Sequence, residues 1–196
     1  LGCAVAALAC GPGFVPNSGA NHAREPAREI MVKAGYLFNF LRFIELPRPV
    51  SNNRTQRVIT ICLVGRDQFG DAFSPVEGCE IGKDKSVLSV RRTGPFRRGA
   101  RLPFRGLVFI CASEADNFGD IVSALRGRPV VTVSDSEGFL EAGGMIELVR
   151  VGNKIRWGVN RHALEASGLT ASSQILRNAV RVLDTAAKSS NGGGGP

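Results

Sequence analysis

Histidine is scarce in this chain, and the scarcity removes most hydrolytic and metal chemistry. Only His22 and His162 occur in 196 residues, too few for a histidine-rich metal centre and hard to build a Ser–His–Asp triad around. The motifs GxxxxGK[ST], GxGxxG, HExxH and Gly-x-Ser-x-Gly are all missing. With them go the phosphate loop, the dinucleotide fingerprint, the zinc-protease helix and the nucleophile elbow. Cysteine is sparse too. Of five, Cys3 and Cys10 lie at the start, leaving Cys62, Cys79 and Cys111 with no CxxC and no zinc spacing. No metal or cofactor is expected, and three thiols allow at most one internal bridge. After Ala23 no apolar run approaches the roughly 18–20 residues that cross a bilayer.

What remains is an ordinary globular composition. Hydrophobic residues make up 43% of the chain and the mean hydropathy is +0.02, which excludes wholesale disorder and suits one domain. The net charge of +8 admits an anionic partner without naming it. The first 23 residues, LGCAVAALACGPGFVPNSGANHA, hold no Lys, Arg, Asp or Glu. They read as the apolar core and small-residue end of a secretory signal, or else as a bland tail. The first reading places the protein in the periplasm. A lipid anchor on Cys10 is not expected, because Ala7 stands where a larger aliphatic belongs. The division is then a signal remnant over 1–23, one domain over 24–188, and a flexible tail, SSNGGGGP, over 189–196.

Periodicity divides the domain further. Ile30, Ala34, Leu37, Leu41 and Ile44 recur every three or four residues between Pro26 and Pro47, with Tyr36, Phe40 and Phe43 widening the stripe. That is an amphipathic helix docking on a core or on a partner helix. A polar loop at 50–57 leads into Val58–Val64, an apolar run ending at Gly65, as in a strand buried on both faces. A short helix follows over 67–73, capped by Asp67. Strands are expected at 86–90, 107–110 and 129–133, with a helix over 115–125. Gly152-Asn153 between 145–151 and 154–159 marks a tight hairpin. Asn160 caps a short helix ended by Gly168, and Ser172 caps a last helix lined by Ile175, Leu176, Ala179, Val180 and Leu183. Alternating strands and helices predict an α/β three-layer sandwich, its sheet mostly parallel with an antiparallel hairpin at one side.

Two segments stand out as candidate sites. Ser134, Asp135, Ser136 and Glu137 follow the fourth strand, at the edge where α/β proteins place ligands. They form either an anion-sensing pocket or a solvated turn with self-capping side chains. The stretch 91–105, RRTGPFRRGARLPFR, carries six arginines and no acid. Its Arg97, Arg98 and Arg101 are candidate contacts for an acidic protein partner, with a solvated connection as the bland alternative. Nucleic acid is not expected of an exported chain. Cys62 and Cys111, both assigned to buried strands of one sheet, are the pair expected to bridge, and Cys79 the leftover thiol. The aromatic surplus of the first helix predicts a homodimer.

Three stretches, VKAGYLFNFLRFIELP at 32–47, ITICLVGRDQFGDAF at 59–73 and PVVTVSDSEGFLEAGGMIELVRVGNKIRWGVNRHALEASGLTASSQILRNA at 129–179, together resemble the YfiR-like family of bacterial periplasmic proteins. The resemblance implies a secreted α/β module without enzymatic activity. It implies a partner as well: the periplasmic part of a membrane-bound diguanylate cyclase, restrained by the bound protein so that cyclic di-GMP falls, or of a sensor kinase. Cys62 stands where the family often has a strand cysteine, but no cysteine occupies the expected partner position around Arg105-Gly106. The alternative expectation is a periplasmic small-molecule sensor.

Overall fold

A computed structural model describes residues 19–47, 58–103 and 105–184. The polar loop at 50–57, the 189–196 tail, Phe104 and the first 18 residues of the expected leader lie outside the described residues.

The apolar runs become the middle of the sheet. β1 (Ile44–Glu45) is a two-residue stub, whereas β2 (Val58–Val64) is a central strand. β3 (Glu80–Ile81), β4 (Ser86–Arg92), β5 (Gly106–Ile110), β6 (Val130–Ser134), β7 (Ile146–Val151), β8 (Lys154–Asn160), β9 (Thr170–Ala171) and β10 (Arg181–Leu183) follow. Eight of these form one sheet in the order β10-β8-β7-β6-β5-β2-β4-β3, and β1 pairs with β9 in a separate antiparallel scrap. Strands β4, β2, β5, β6 and β7 run parallel. The turn at Gly152-Asn153 makes β7 and β8 antiparallel, with Gly152 at φ 58°, where glycine carries no penalty.

Side chains alternate between two cores, as a period of two requires. Ile59, Ile61, Leu63, Leu107, Phe109, Val131 and Val133 face one side. There they meet helix α1 (Gly19–Phe43) through Ala34, Leu37, Phe40 and Leu41. The short helices α3 (Arg161–Ala166) and α4 (Ser173–Arg177) complete that layer with Leu164 and Ile175. Cys62, Val64, Val108, Ile110 and Val130 face the other side, under Phe118, Ile121, Val122 and Leu125 of α2 (Phe118–Leu125). The result is the expected three-layer mixed α/β sandwich. Gly106 shows how close the central strands lie. A Cβ there would stand 2.1 Å from the Thr60 carbonyl oxygen.

Four expectations need correction. Helix α1 begins at Gly19, so Pro26 does not start it. The 67–73 segment yields only a 3-10 turn over Gly70–Phe73, although Asp67 does cap the Phe69 amide at 2.7 Å. A 3-10 stretch over Ala112–Asn117 replaces the first turns of the 115–125 helix. The last helix stops at Arg177. Asn178 is a poor helix former, and the chain beyond it extends to pair β10 with β8 through Val159 and its neighbours. That pairing satisfies the backbone edge of β8, which a helix would leave open.

The cysteine expectation fails for a related reason. Cys62 and Cys111 are both free and buried. Cys62 points into the α2-side core and Cys111 into the α1-side core, so the sheet itself separates the two sulfurs. Exposed Cys79 is free as well.

Candidate functional site

Chain direction creates one natural crevice. After β2 the chain turns to the α1 side, and after β5 it turns to the α2 side, so the two carboxyl ends diverge as at an α/β ligand site. In this protein the crevice is filled by the protein's own polar groups. The Arg66 amide donates to the Ser113 hydroxyl at 2.9 Å, and Gly65 leaves no room for a Cβ beside Ser113 and Glu114. Arg92 pairs with Asp67 at 2.7 Å. Lys33 and Gln68 both donate to one oxygen of Asp135, at 2.7 and 2.8 Å. Lys33 also bonds Glu29 at 2.8 Å, and Arg150 holds Glu29 from the far side at 3.2 Å.

This chain of charges is shielded, with Lys33 and Asp135 side chains only 11% and 10% exposed. Burial pulls the Lys33 ammonium down, yet hydrogen bonds and charge from Asp135 and Glu29 outweigh it and raise its pKa. Beside them Cys111 is pushed up to about 12, first by burial and then by Asp135, Asp67 and Glu114. A thiol so placed stays protonated and is no nucleophile.

The expected ligand segment therefore divides by role. Ser134 is buried and donates to the Ile110 carbonyl at 2.8 Å, and its oxygen accepts the Ser136 amide at 3.3 Å. Both serines hold the turn together. Asp135 belongs to the clamp on α1. Only Asp135 and Glu137 reach an open groove of about 480 Å³ with Gly138, Glu141, Glu147, Arg150 and Arg181. Arg181 pairs with Glu141 and Arg150 with Glu29. Four carboxylates against two paired arginines repel the anion expected there and suit a cation or amine instead. A larger hollow of about 850 Å³ opens at the opposite end of the sheet, walled by Phe38, Leu41, Ile59, Ile81 and the Asp84–Arg105 pair. Sequence reasoning missed it because Arg105 reads as one more loop arginine. Its guanidinium instead bonds Asp84 at 2.9 Å and Ser86 at 3.1 Å. Burial alone would raise the Asp84 carboxyl, but Ser86 and Arg105 hold it below the usual carboxylate range.

The arginine-rich segment is anchored rather than loose. Its Gly94 carbonyl accepts the Gly65 amide at 2.7 Å. Buried Glu114 receives the Phe96 amide at 3.2 Å, while Phe96 and Leu102 pack on the α2-side core. Arg91 holds the Arg101 carbonyl at 2.6 Å. Of its arginines, Arg92 and Arg105 are spent on internal pairs. Arg98 makes a two-pronged bond to Asp120, at 2.9 and 3.2 Å, but stays 85% exposed. Arg97 and Arg101 are exposed and meet no carboxylate among the described residues.

Comparison with known proteins agrees with the family that the motifs suggested. A search of the curated proteins finds no match. Among solved structures, a conserved domain protein from Vibrio cholerae O1 biovar eltor str. N16961 is similar at a TM-score of 0.49 and 10% identity. The match covers 78% of this chain and 60% of that one, so the chain spans about three fifths of the neighbour's length. A family model described as YfiR/HmsC-like matches residues 31–180, a span that runs from α1 to the threshold of β10. The chain belongs to the YfiR/HmsC-like family, known as periplasmic regulators.

Proposed function

We propose that this protein is a non-enzymatic periplasmic regulator that binds the periplasmic part of a membrane-bound diguanylate cyclase, or of a related sensor kinase, and restrains it. Family membership over residues 31–180 carries the reading. The filled crevice between β2 and β5 supports it, since the place where an α/β fold would gather a substrate is occupied by Lys33, Gln68, Asp135, Arg66 and Ser113. The functional unit in this reading is a homodimer. The aromatic surplus that suggested one is absorbed within a single chain, where Tyr36 and Phe40 pack edge-on against Trp157. What α1 still offers a second copy is Met31 and Val32, 52% and 40% exposed.

The direct test is reconstitution. A membrane cyclase encoded beside this chain is placed in proteoliposomes, and cyclic di-GMP synthesis is followed as purified protein is added to the periplasmic side. Saturable inhibition supports the proposal. Unchanged synthesis, with no co-purification of either a cyclase or a kinase periplasmic domain from detergent extracts, overturns it.

A further inference from the structure

We infer that the 91–101 segment is a preformed docking surface for an acidic face on a protein partner, with Arg97, Arg98 and Arg101 as its contacts. The inference rests on the regulatory reading for the partner's identity, but its geometry stands apart from that reading. Three observations carry it.

The first is rigidity. The segment is tied at both ends and in the middle: Thr93 to the Leu63 carbonyl at 3.0 Å, Gly65 to Gly94, Phe96 to buried Glu114, and Arg91 to Arg101. A surface fixed in advance loses little conformational freedom on binding. The second is charge. Arg97 and Arg101 are exposed without a carboxylate, and Arg98 has only the exposed Asp120. The Arg98–Asp120 fork shows that the surface offers the geometry that grips carboxylates. The buried charges of this molecule are compensated from within, so an unmatched cluster on an anchored segment is the exception.

The third is what the surface omits. None of the exposed large hydrophobic side chains of the described residues, namely Met31, Val32, Phe43, Val58, Val151, Val180 and Val182, lies in this segment. A segment that inserts into a lipid interface needs apolar side chains beside its cations. Phe96 is packed against the core, so its ring is not presented to a base. Acidic protein is the chemistry left.

The test compares three forms of the full chain by surface-based binding kinetics: the native protein, Arg97→Ser/Arg98→Ser/Arg101→Ser, and the control Arg28→Ser/Arg126→Ser/Lys154→Ser. The control removes the same charge from exposed positions elsewhere. The probes are immobilised poly-L-glutamate, phosphatidylglycerol vesicles, and the periplasmic domain of the cyclase used above. Native protein should bind poly-L-glutamate and the cyclase domain with association that falls as salt rises. The loop variant should associate at least about tenfold more slowly at low salt, with a flatter salt dependence. Its thermal midpoint should match the native one, and the control should stay within about twofold of native association.

Equal losses in both variants would reduce the effect to net charge and overturn the inference. So would vesicle binding that depends on the three arginines without poly-L-glutamate binding. If the cyclase domain binds native and loop-variant protein alike, the surface is wrong and the regulatory reading stands. If it binds neither while poly-L-glutamate still separates them, the surface stands and the regulatory reading falls.

Discussion

The cluster around Asp135 and the segment around Arg98 hold similar charges under opposite conditions. At Asp135 the ammonium of Lys33, the amide of Gln68 and the carboxylate of Glu29 interlock under α1, almost out of water. At Arg98 the guanidinium groups project into solvent and find a single exposed acid. The difference follows from desolvation. A buried charge without a partner costs several kcal/mol, so a fold keeps it only with compensation, whereas an exposed one is held by water almost freely. The interior cluster consequently speaks of architecture, and the surface cluster of contact with something else.

Removing one partner from the interior cluster should break the comparison most visibly. Asp135→Ala leaves Lys33 with Glu29 alone and should cost about 2–4 kcal/mol in urea unfolding. Adding Lys33→Met should recover much of that loss, because a packed apolar side chain tolerates the site that an unpaired ammonium does not. A cost below about 0.5 kcal/mol for the single variant would place Asp135 in the same solvated class as Arg98.

Acid should reveal the second shielded pair. The Asp84 carboxyl is held below its ordinary value in the folded chain. Its contribution is therefore complete above the unfolded pKa, near 3.9, and fades as pH falls through the lower folded value. Native protein should be more stable than Asp84→Asn at neutral pH, and the gap should close below about pH 4. Lys33 has the reverse sign. Raised above its usual 10.5, it stabilises fully below that value and loses its contribution as pH climbs through the folded pKa. Neither pair should respond between pH 5 and 8, so a steep stability change there would contradict both assignments.

Thiol labelling sharpens the same contrast at smaller effect. Iodoacetamide at pH 8 should label Cys79 within the native fold and reach Cys62 and Cys111 only on unfolding, as read by peptide mapping. Smallest of all, Asp120→Asn should shift stability by no more than about 0.5 kcal/mol, since its bond to Arg98 is solvated.

Much of the scaffold was legible because its signals are local. Val58–Val64 could only be a strand buried on both faces, and Gly152-Asn153 could only be a tight turn between strands. Asn160 caps α3 through the Ala163 amide, as its position implied. Illegible features depended on what lay across space. The helical spacing of Ile175, Leu176, Ala179 and Val180 was real, but β8 offered a free edge, and pairing with it outweighed continued helix. Cys62 and Cys111 were correctly placed on adjacent strands, yet one residue of register decides which face a side chain takes. Of the candidate site, the exposure of Arg97 and Arg101 was readable from a run without acids. The internal use of Arg92 and Arg105 was not, because Asp67 and Asp84 are distant in sequence.

Each described rim of the main sheet is closed by a very short strand, Glu80–Ile81 at one side and Arg181–Leu183 at the other. Lys83, Lys85 and Glu80 crowd the first rim and Arg181 the second. Such brief, charged borders give an incoming chain little backbone to zip onto. Recognition by added strand, the commonest way that extended peptides join a sheet, is thereby discouraged. A protein that grips this one must come at it through side chains, over a helix or a loop, and can let go without unravelling a ladder of main-chain bonds. Reversibility of that kind is what a restraint needs if it is ever to be lifted.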